Sequence, residues 1–207
     1  MYNLGFLFWF AHEFGDALYS PLILARTGGN ATILGGVSSI MGLGGVVGAI
    51  VLSLWGGSQQ RWRDMALGII VVGVSKVAFG LGRSPLIWLP TQFAASLSFP
   101  LFGGSEQALW FAHVEANVQG QVFAAVMLSQ QVAIALATIM AGLLADYVFE
   151  LATRSQSWLT PLLSNVVGTE PGGGIALLYV MTSANLVLIG FYTLLNSKLG
   201  LTNRHNR

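Results

Sequence analysis

The sequence predicts an all-α, polytopic membrane protein with six transmembrane helices. Of its 207 residues, 54% are hydrophobic and only 8% are charged, and the mean hydropathy is +0.69. An ordinary globular domain has about 25% charged residues. Apolar runs also recur along the chain at lengths near the roughly 20 residues that a helix needs to cross a bilayer. These three observations favour an integral membrane protein.

Composition and motifs also exclude several classes of function. The net charge of +1 gives no basic surface for nucleic acid. The chain has no cysteine, so it has no disulfide and no thiolate metal site. No glycine-rich phosphate loop ends in Lys-Ser or Lys-Thr, and no metalloprotease or Ser-His-Asp pattern occurs. We therefore expect a protein that is not an enzyme, with no catalytic residues, no metal and no cofactor.

Short loops rich in glycine, proline and charge separate the apolar runs, and these residues end membrane helices. The longest connection is predicted as a non-cytoplasmic loop with an amphipathic segment, at residues 147–173. No stretch is left for a soluble domain, so residues 1–207 should form one six-helix bundle. The predicted spans are residues 4–25, 33–55, 65–82, 86–110, 120–145 and 175–196.

The first span carries three ionisable residues near its centre, His12, Glu13 and Asp16. Its 22 residues make about 33 Å of helix, so these side chains lie near the bilayer midplane. An Asp there costs about 2.5–3.5 kcal/mol on insertion scales, which favours a position facing protein or water. We predict that the three line a central cavity and bind a cationic substrate or carry a coupling proton. Two alternatives stay open: they pair only to stabilise packing, or the helix boundaries are shifted and they lie near an interface.

The second and third spans carry structural signals. Gly44 and Gly48 have the spacing that lets two helices pack closely. Arg61 and Arg63 lie in the loop that follows and indicate a cytoplasmic side. Lys76 lies inside the third span, where it could extend to the interface, pair with an acid or face the bundle.

The fourth span contains two prolines and ends with Glu106 and Gln107, which we interpret as lining the cavity or lying at the interface. The fifth begins at Gly120 and ends before Asp146, an acid expected at a helix end with a structural or gating role. Spans one and four both carry acids, and spans two and five both carry small residues. This similarity between the first three spans and the last three suggests two inverted three-helix repeats.

Loop charges give the orientation. With the N-terminus inside, five basic residues are cytoplasmic and three are external, which favours cytoplasmic termini. The inside set is Arg61, Arg63, Lys198, Arg204 and Arg207, and the outside set is Arg26, Arg83 and Arg154.

Four passages resemble a known family. They are Leu54-Trp55-Gly56-Gly57 with Arg61 and Arg63 after it, residues 118–124, residues 141–150, and Gly172-Gly173-Gly174-Ile175. In this order they are similar to the C-terminal half, helices seven to twelve, of major facilitator superfamily exporters of the macrolide-efflux and enterobactin-exporter type. The likeness covers nearly the whole chain.

The resemblance implies one half of a proton-coupled secondary transporter that exports a hydrophobic or amphipathic small molecule from a bacterial cell. It implies a multi-pass protein of the inner membrane, embedded in lipid. Because such transporters move two six-helix bundles around a central site, the chain should need an N-terminal six-helix half or a second copy of itself. The alternative is a truncated or non-transporting membrane subunit that needs a partner half.

Overall fold

The computed structural model describes residues 2–153, 167–168 and 170–202. In this part of the chain there are six α-helices and no strand. The helices are α1 (Tyr2–Thr27), α2 (Ala31–Trp55), α3 (Arg61–Leu81), α4 (Pro85–His113), α5 (Gln119–Thr153) and α6 (Gly173–Thr202). The all-α prediction is confirmed.

Four helices are long and apolar enough to cross a membrane, judged by length and composition. They are Ala31–Trp55, Arg61–Leu81, Gln119–Ala145 and Gly173–Asn196. Helices α1 and α4 have 26 and 29 residues, which is sufficient length, but they are less apolar. Their hydropathy is lowered by ionisable and amide side chains and by prolines at positions 21, 90 and 100. The molecule is thus compatible with a membrane-embedded protein.

Several helices extend beyond the predicted spans. Helix α3 begins at Arg61, four residues before the predicted start, so Arg61 and Arg63 lie in its first turn and not in a loop. Helix α5 runs to Thr153, eight residues past the predicted end, and α6 runs to Thr202, six residues past it. The predicted amphipathic segment falls mostly on residues 154–166 and 169, outside the described residues.

Helix α3 is central, since it packs against both α4 and α6. Its contact with α6 is very close: a Cβ atom on Gly73 would lie 2.8 Å from the backbone nitrogen of Val187, and one on Gly190 would lie 3.0 Å from that of Ile70. Glycine is therefore needed where α3 and α6 cross. Helix α2 packs against α4, and α1 packs against α5 and α6.

Gly44 and Gly48 lie at the contact between α2 and α4. A Cβ atom on Gly44 would be 2.8 Å from the carbonyl oxygen of Phe93, and one on Gly48 would be 2.9 Å from the carbonyl carbon of Leu97. The helix contact that the glycine spacing predicts is present.

The core consists of two apolar clusters at different levels of the bundle. One contains Phe14, Leu18, Phe79, Trp88 and Tyr179 among others. The other is built around Phe8, Met65, Val72, Phe102 and Leu186. On α1 the two clusters meet between residues 11 and 14, and on α3 between residues 72 and 79. Both gaps contain charged residues.

Candidate functional site

A buried ion pair joins α1 to α3 between the two core clusters. The ammonium nitrogen of Lys76 lies 2.5 Å from Oδ1 of Asp16 and also donates to the carbonyl oxygen of His12 at 3.3 Å. Lys76 is only 3% exposed. The Asp16 side chain is 39% accessible, so one side of the carboxylate is not covered by the chain.

His12 lies beside this pair. Its Nδ1 atom is 3.8 Å from Oδ2 of Asp16 and 3.7 Å from Oε1 of Glu13, and it makes no hydrogen bond. The ring is buried against Phe8 and Phe99, with centroid distances of 5.5 and 5.1 Å. The three ionisable residues predicted for the first span are therefore close together, and Lys76 joins them.

The backbone of α1 makes room for the lysine. A Cβ atom on Gly15 would lie 3.9 Å from the Lys76 nitrogen, 3.7 Å from the Thr182 hydroxyl and 3.8 Å from the Tyr179 ring. The Tyr179 hydroxyl is buried and has no hydrogen-bond partner. Helix α6 thus places the side chains of Thr182 and Tyr179 next to the site, opposite Gly15 of α1.

The charged side chains of this cluster do not balance. Lys76, Asp16 and Glu13 together carry a net charge of −1 when all three are ionised. A site with one surplus negative charge and an accessible carboxylate can hold a proton or a cation.

Glu106 and Gln107 do not belong to the cluster around Asp16 and Lys76. The Glu106 side chain reaches α1, since a Cβ atom on Gly5 would lie 2.9 Å from its Oε1 atom. The buried indole nitrogens of Trp9 and Trp110 are directed at the same carboxyl but form no hydrogen bond of normal geometry. Gln107 is exposed. No ion pair or hydrogen bond within the described residues connects Glu106 with Asp16.

No family model, curated protein or solved structure matches the chain.

The residues predicted to have structural or gating roles have mixed surroundings. Arg61 donates to the carbonyl oxygen of Gly56 at 3.1 Å, and Arg63 is exposed. Gly120 is exposed, with no atom near a Cβ position. Asp146 lies within α5, but its side chain is outside the described residues.

Two important residues were not assigned a role from the sequence. Lys76 was left with three alternatives, and the structure selects pairing with an acid. The signal was its position in an uncharged run, with 11 uncharged residues before it and six after it. Asp64 was passed over in the loop before α3. It is buried and accepts hydrogen bonds from the backbone nitrogen and the hydroxyl of Ser58, at 2.8 and 2.7 Å.

Proposed function

We propose that this chain is one six-helix half of a secondary transporter. In this proposal it exports a hydrophobic or amphipathic small molecule across a bacterial inner membrane, driven by the proton gradient, with both termini in the cytoplasm. The observation that carries the proposal is the Asp16–Lys76 pair, in which the lysine is buried and the carboxylate is 39% accessible.

The depth of the pair supports this reading. Asp16 lies 14 residues after the first residue of α1, and Lys76 lies 15 residues after the first residue of α3. At 1.5 Å per residue both are about 21–23 Å from those helix starts. Charged side chains at such a depth in a membrane usually face a bundle interior or a water-filled path, and they mark ion or substrate routes.

The two less apolar helices are a second line of support. Helices α1 and α4 are three positions apart in the chain and carry the polar residues His12, Asp16 and Glu106. A helix that faces a polar cavity on one side needs less hydrophobicity than one surrounded by lipid and protein. The cavity wall that we propose consists of these two helices.

The pattern of helix contacts supports two inverted three-helix repeats. In such repeats α1 corresponds to α4, α2 to α5 and α3 to α6. The α3–α4 contact then corresponds to the α6–α1 contact, and the α2–α4 contact corresponds to the α5–α1 contact. The α3–α6 contact joins two corresponding helices. All of these contacts are present, whereas the smaller α1–α2 and α5–α6 contacts have no counterpart of similar extent. At an offset of 89 residues, Gly44 and Gly48 of α2 correspond to Ala133 and Ala137 of α5, and all four are buried small residues.

The pair offers a simple coupling step. Lys76 holds one oxygen of Asp16, and the other oxygen is 3.8 Å from His12. A proton or a cationic substrate that reaches Asp16 reduces its attraction for Lys76. A buried lysine without its carboxylate is costly, so release of Asp16 favours a rearrangement of α3 relative to α1. The second wall of the cavity comes from an N-terminal six-helix half or a second copy of the chain.

Ethidium accumulation tests the proposal. An efflux-deficient bacterial strain would express the chain alone, and together with the N-terminal half of a macrolide-efflux type exporter. We expect one of these arrangements to lower ethidium accumulation, and a protonophore to abolish the effect. Failure of both arrangements, at normal membrane abundance, would contradict transport of this class of substrate.

Two variants sharpen the test. Asp16→Asn should abolish efflux because it removes the carboxylate that exchanges partners. Ser183→Ala is the control for loss of a polar side chain inside the bundle, since Ser183 is buried and bonds only the carbonyl oxygen of Tyr179, on its own helix, at 2.6 Å. Membrane abundance is measured for both. Unchanged efflux in Asp16→Asn refutes the role of the pair.

A further inference from the structure

One face of α1 connects two separate polar sites. Gly5, Trp9, His12 and Asp16 are spaced by four, three and four residues, so they form a single stripe along the helix. Asp16 and His12 belong to the site with Lys76, and Gly5 and Trp9 contact the region of Glu106. The two ends of the stripe are 11 residues apart, which is about 17 Å of helix.

The Glu106 end contains several polar groups without partners. The indole nitrogens of Trp9 and Trp110 and the hydroxyl of Ser105 are all buried and unbonded, and Ser105 is only 1% exposed. Buried donors without acceptors are rare in folded proteins, and a bound water is a common explanation. A small cavity lined by Gly5, Glu106 and Trp110 has room for about one water molecule.

The rest of this cavity is apolar. Helix α3 contributes Met65 and Ile69, α1 contributes Leu4, and α4 contributes Phe102. The described residues place no basic side chain within salt-bridge distance of Glu106. A buried carboxylate without a cation is unfavourable, and taking up a proton removes the charge.

We infer that Glu106, with Trp9 and Trp110 beside it, forms a proton-binding site separate from Asp16, with a water molecule bound in the small cavity that Glu106 and Trp110 line. The proton comes from a hydronium ion in water, and one carboxyl O–H bond forms as one hydronium O–H bond breaks. This inference deepens the proposed function, on which its role in transport rests.

Other charged and titratable groups lie farther from Glu106 on each neighbouring helix. On α1, Tyr2 is three residues before Gly5, and His12 is two turns after it with its ring centroid 6.0 Å from that of Trp9. On α3, Asp64 precedes Met65 but is bonded to Ser58. On α4, His113 is seven residues from Glu106, and its ring bonds the carbonyl oxygen of Leu109 at 2.8 Å. A proton signal at Glu106 should therefore be separable from these groups by substitution.

Tryptophan fluorescence of the full chain in lipid vesicles tests the inference without any transport assay. Protonation next to two indole rings should change their emission, so the wild-type protein should show a step in fluorescence as pH is varied. Glu106→Gln should lose this step. Trp9→Phe and Trp110→Phe should each reduce it. Glu115→Gln, at an exposed carboxyl outside the helices, is the control and should retain it.

Each outcome has a meaning. If the step remains in Glu106→Gln, the inference is wrong. If Glu106→Gln fails to give a folded protein, Glu106→Asp is used instead and should shift the pH midpoint of the step; an unchanged midpoint would overturn the inference. A fluorescence change that follows sodium concentration at constant pH and is lost in Glu106→Gln would also overturn it, since the site would then bind a cation. The proposed transport can fail while the pH step persists, so the two proposals are tested separately.

Discussion

Removing the two partners of the Asp16–Lys76 pair should have unequal effects on stability. In Asp16→Asn, a lysine that is 3% exposed loses its counter-ion and keeps only uncharged acceptors, among them the carbonyl oxygen of His12 at 3.3 Å. An uncompensated buried charge of this kind costs about 3–5 kcal/mol. In Lys76→Met, the charge left behind is Asp16, whose side chain is 39% accessible and can be hydrated. The cost should be near the roughly 1 kcal/mol of an exposed pair.

Thermal unfolding of the purified chain in detergent measures this difference. For 150–250 residues, 1 kcal/mol corresponds to about 2–4 °C in Tm. Asp16→Asn should therefore lower Tm by roughly 6–20 °C, and Lys76→Met by about 2–4 °C. The double variant should be more stable than Asp16→Asn alone, because it leaves no unpaired lysine.

Glu13→Gln is the matched control on the same helix. Its carboxylate is 23% exposed and lies 3.7 Å from His12, so its loss should change Tm little. The reasoning is refuted if Lys76→Met destabilises the chain as much as Asp16→Asn, or if the double variant shows no recovery.

Two further predictions concern packing and a loop. Gly73→Ala should lower Tm relative to Gly142→Ala. A Cβ atom on Gly73 would lie 2.8 Å from the backbone of α6, whereas a Cβ atom on Gly142 would have no neighbouring atom within 4 Å. Overpacking costs about 1–3 kcal/mol, and equal Tm values of the two variants in detergent would contradict this prediction. Asp64→Ala should lower the free energy of unfolding by about 1.5–3 kcal/mol, since the buried carboxylate accepts two hydrogen bonds from Ser58. Faster proteolysis of the loop at residues 56–60 checks this, and Glu115→Ala, an exposed carboxylate, should leave the rate unchanged.

The helices were largely predictable because their signal is local. Runs of apolar residues about 20 long, separated by glycine, proline and charge, determine where membrane helices begin and end. Pro21 lies inside α1, as it lies inside the predicted span, because a proline within a membrane helix is tolerated when neighbouring groups satisfy the freed carbonyl. The longest unpredicted extension also has a local cause. Helix α5 continues to Thr153 because no glycine or proline interrupts the sequence after Ala145.

The candidate site was only half predictable. His12, Glu13 and Asp16 are within one turn or so of each other, so helical spacing alone placed them together. Lys76 is 60 residues from Asp16 and comes from another helix. The grouping of Glu106 with Asp16 in one site was likewise an assumption about neighbouring helices, and the structure describes two separate sites on one stripe.

The sequence by itself determined the class of protein, the helices and the presence of charges within apolar segments, because composition and periodicity act over a few residues at a time. Only the tertiary structure decided which helix faces which. It was the packing of α3 between α4 and α6 that brought Lys76 against α1, and glycines such as Gly73 allow that packing. Pairing between distant residues depends on how surfaces fit, and no local pattern in the chain records it.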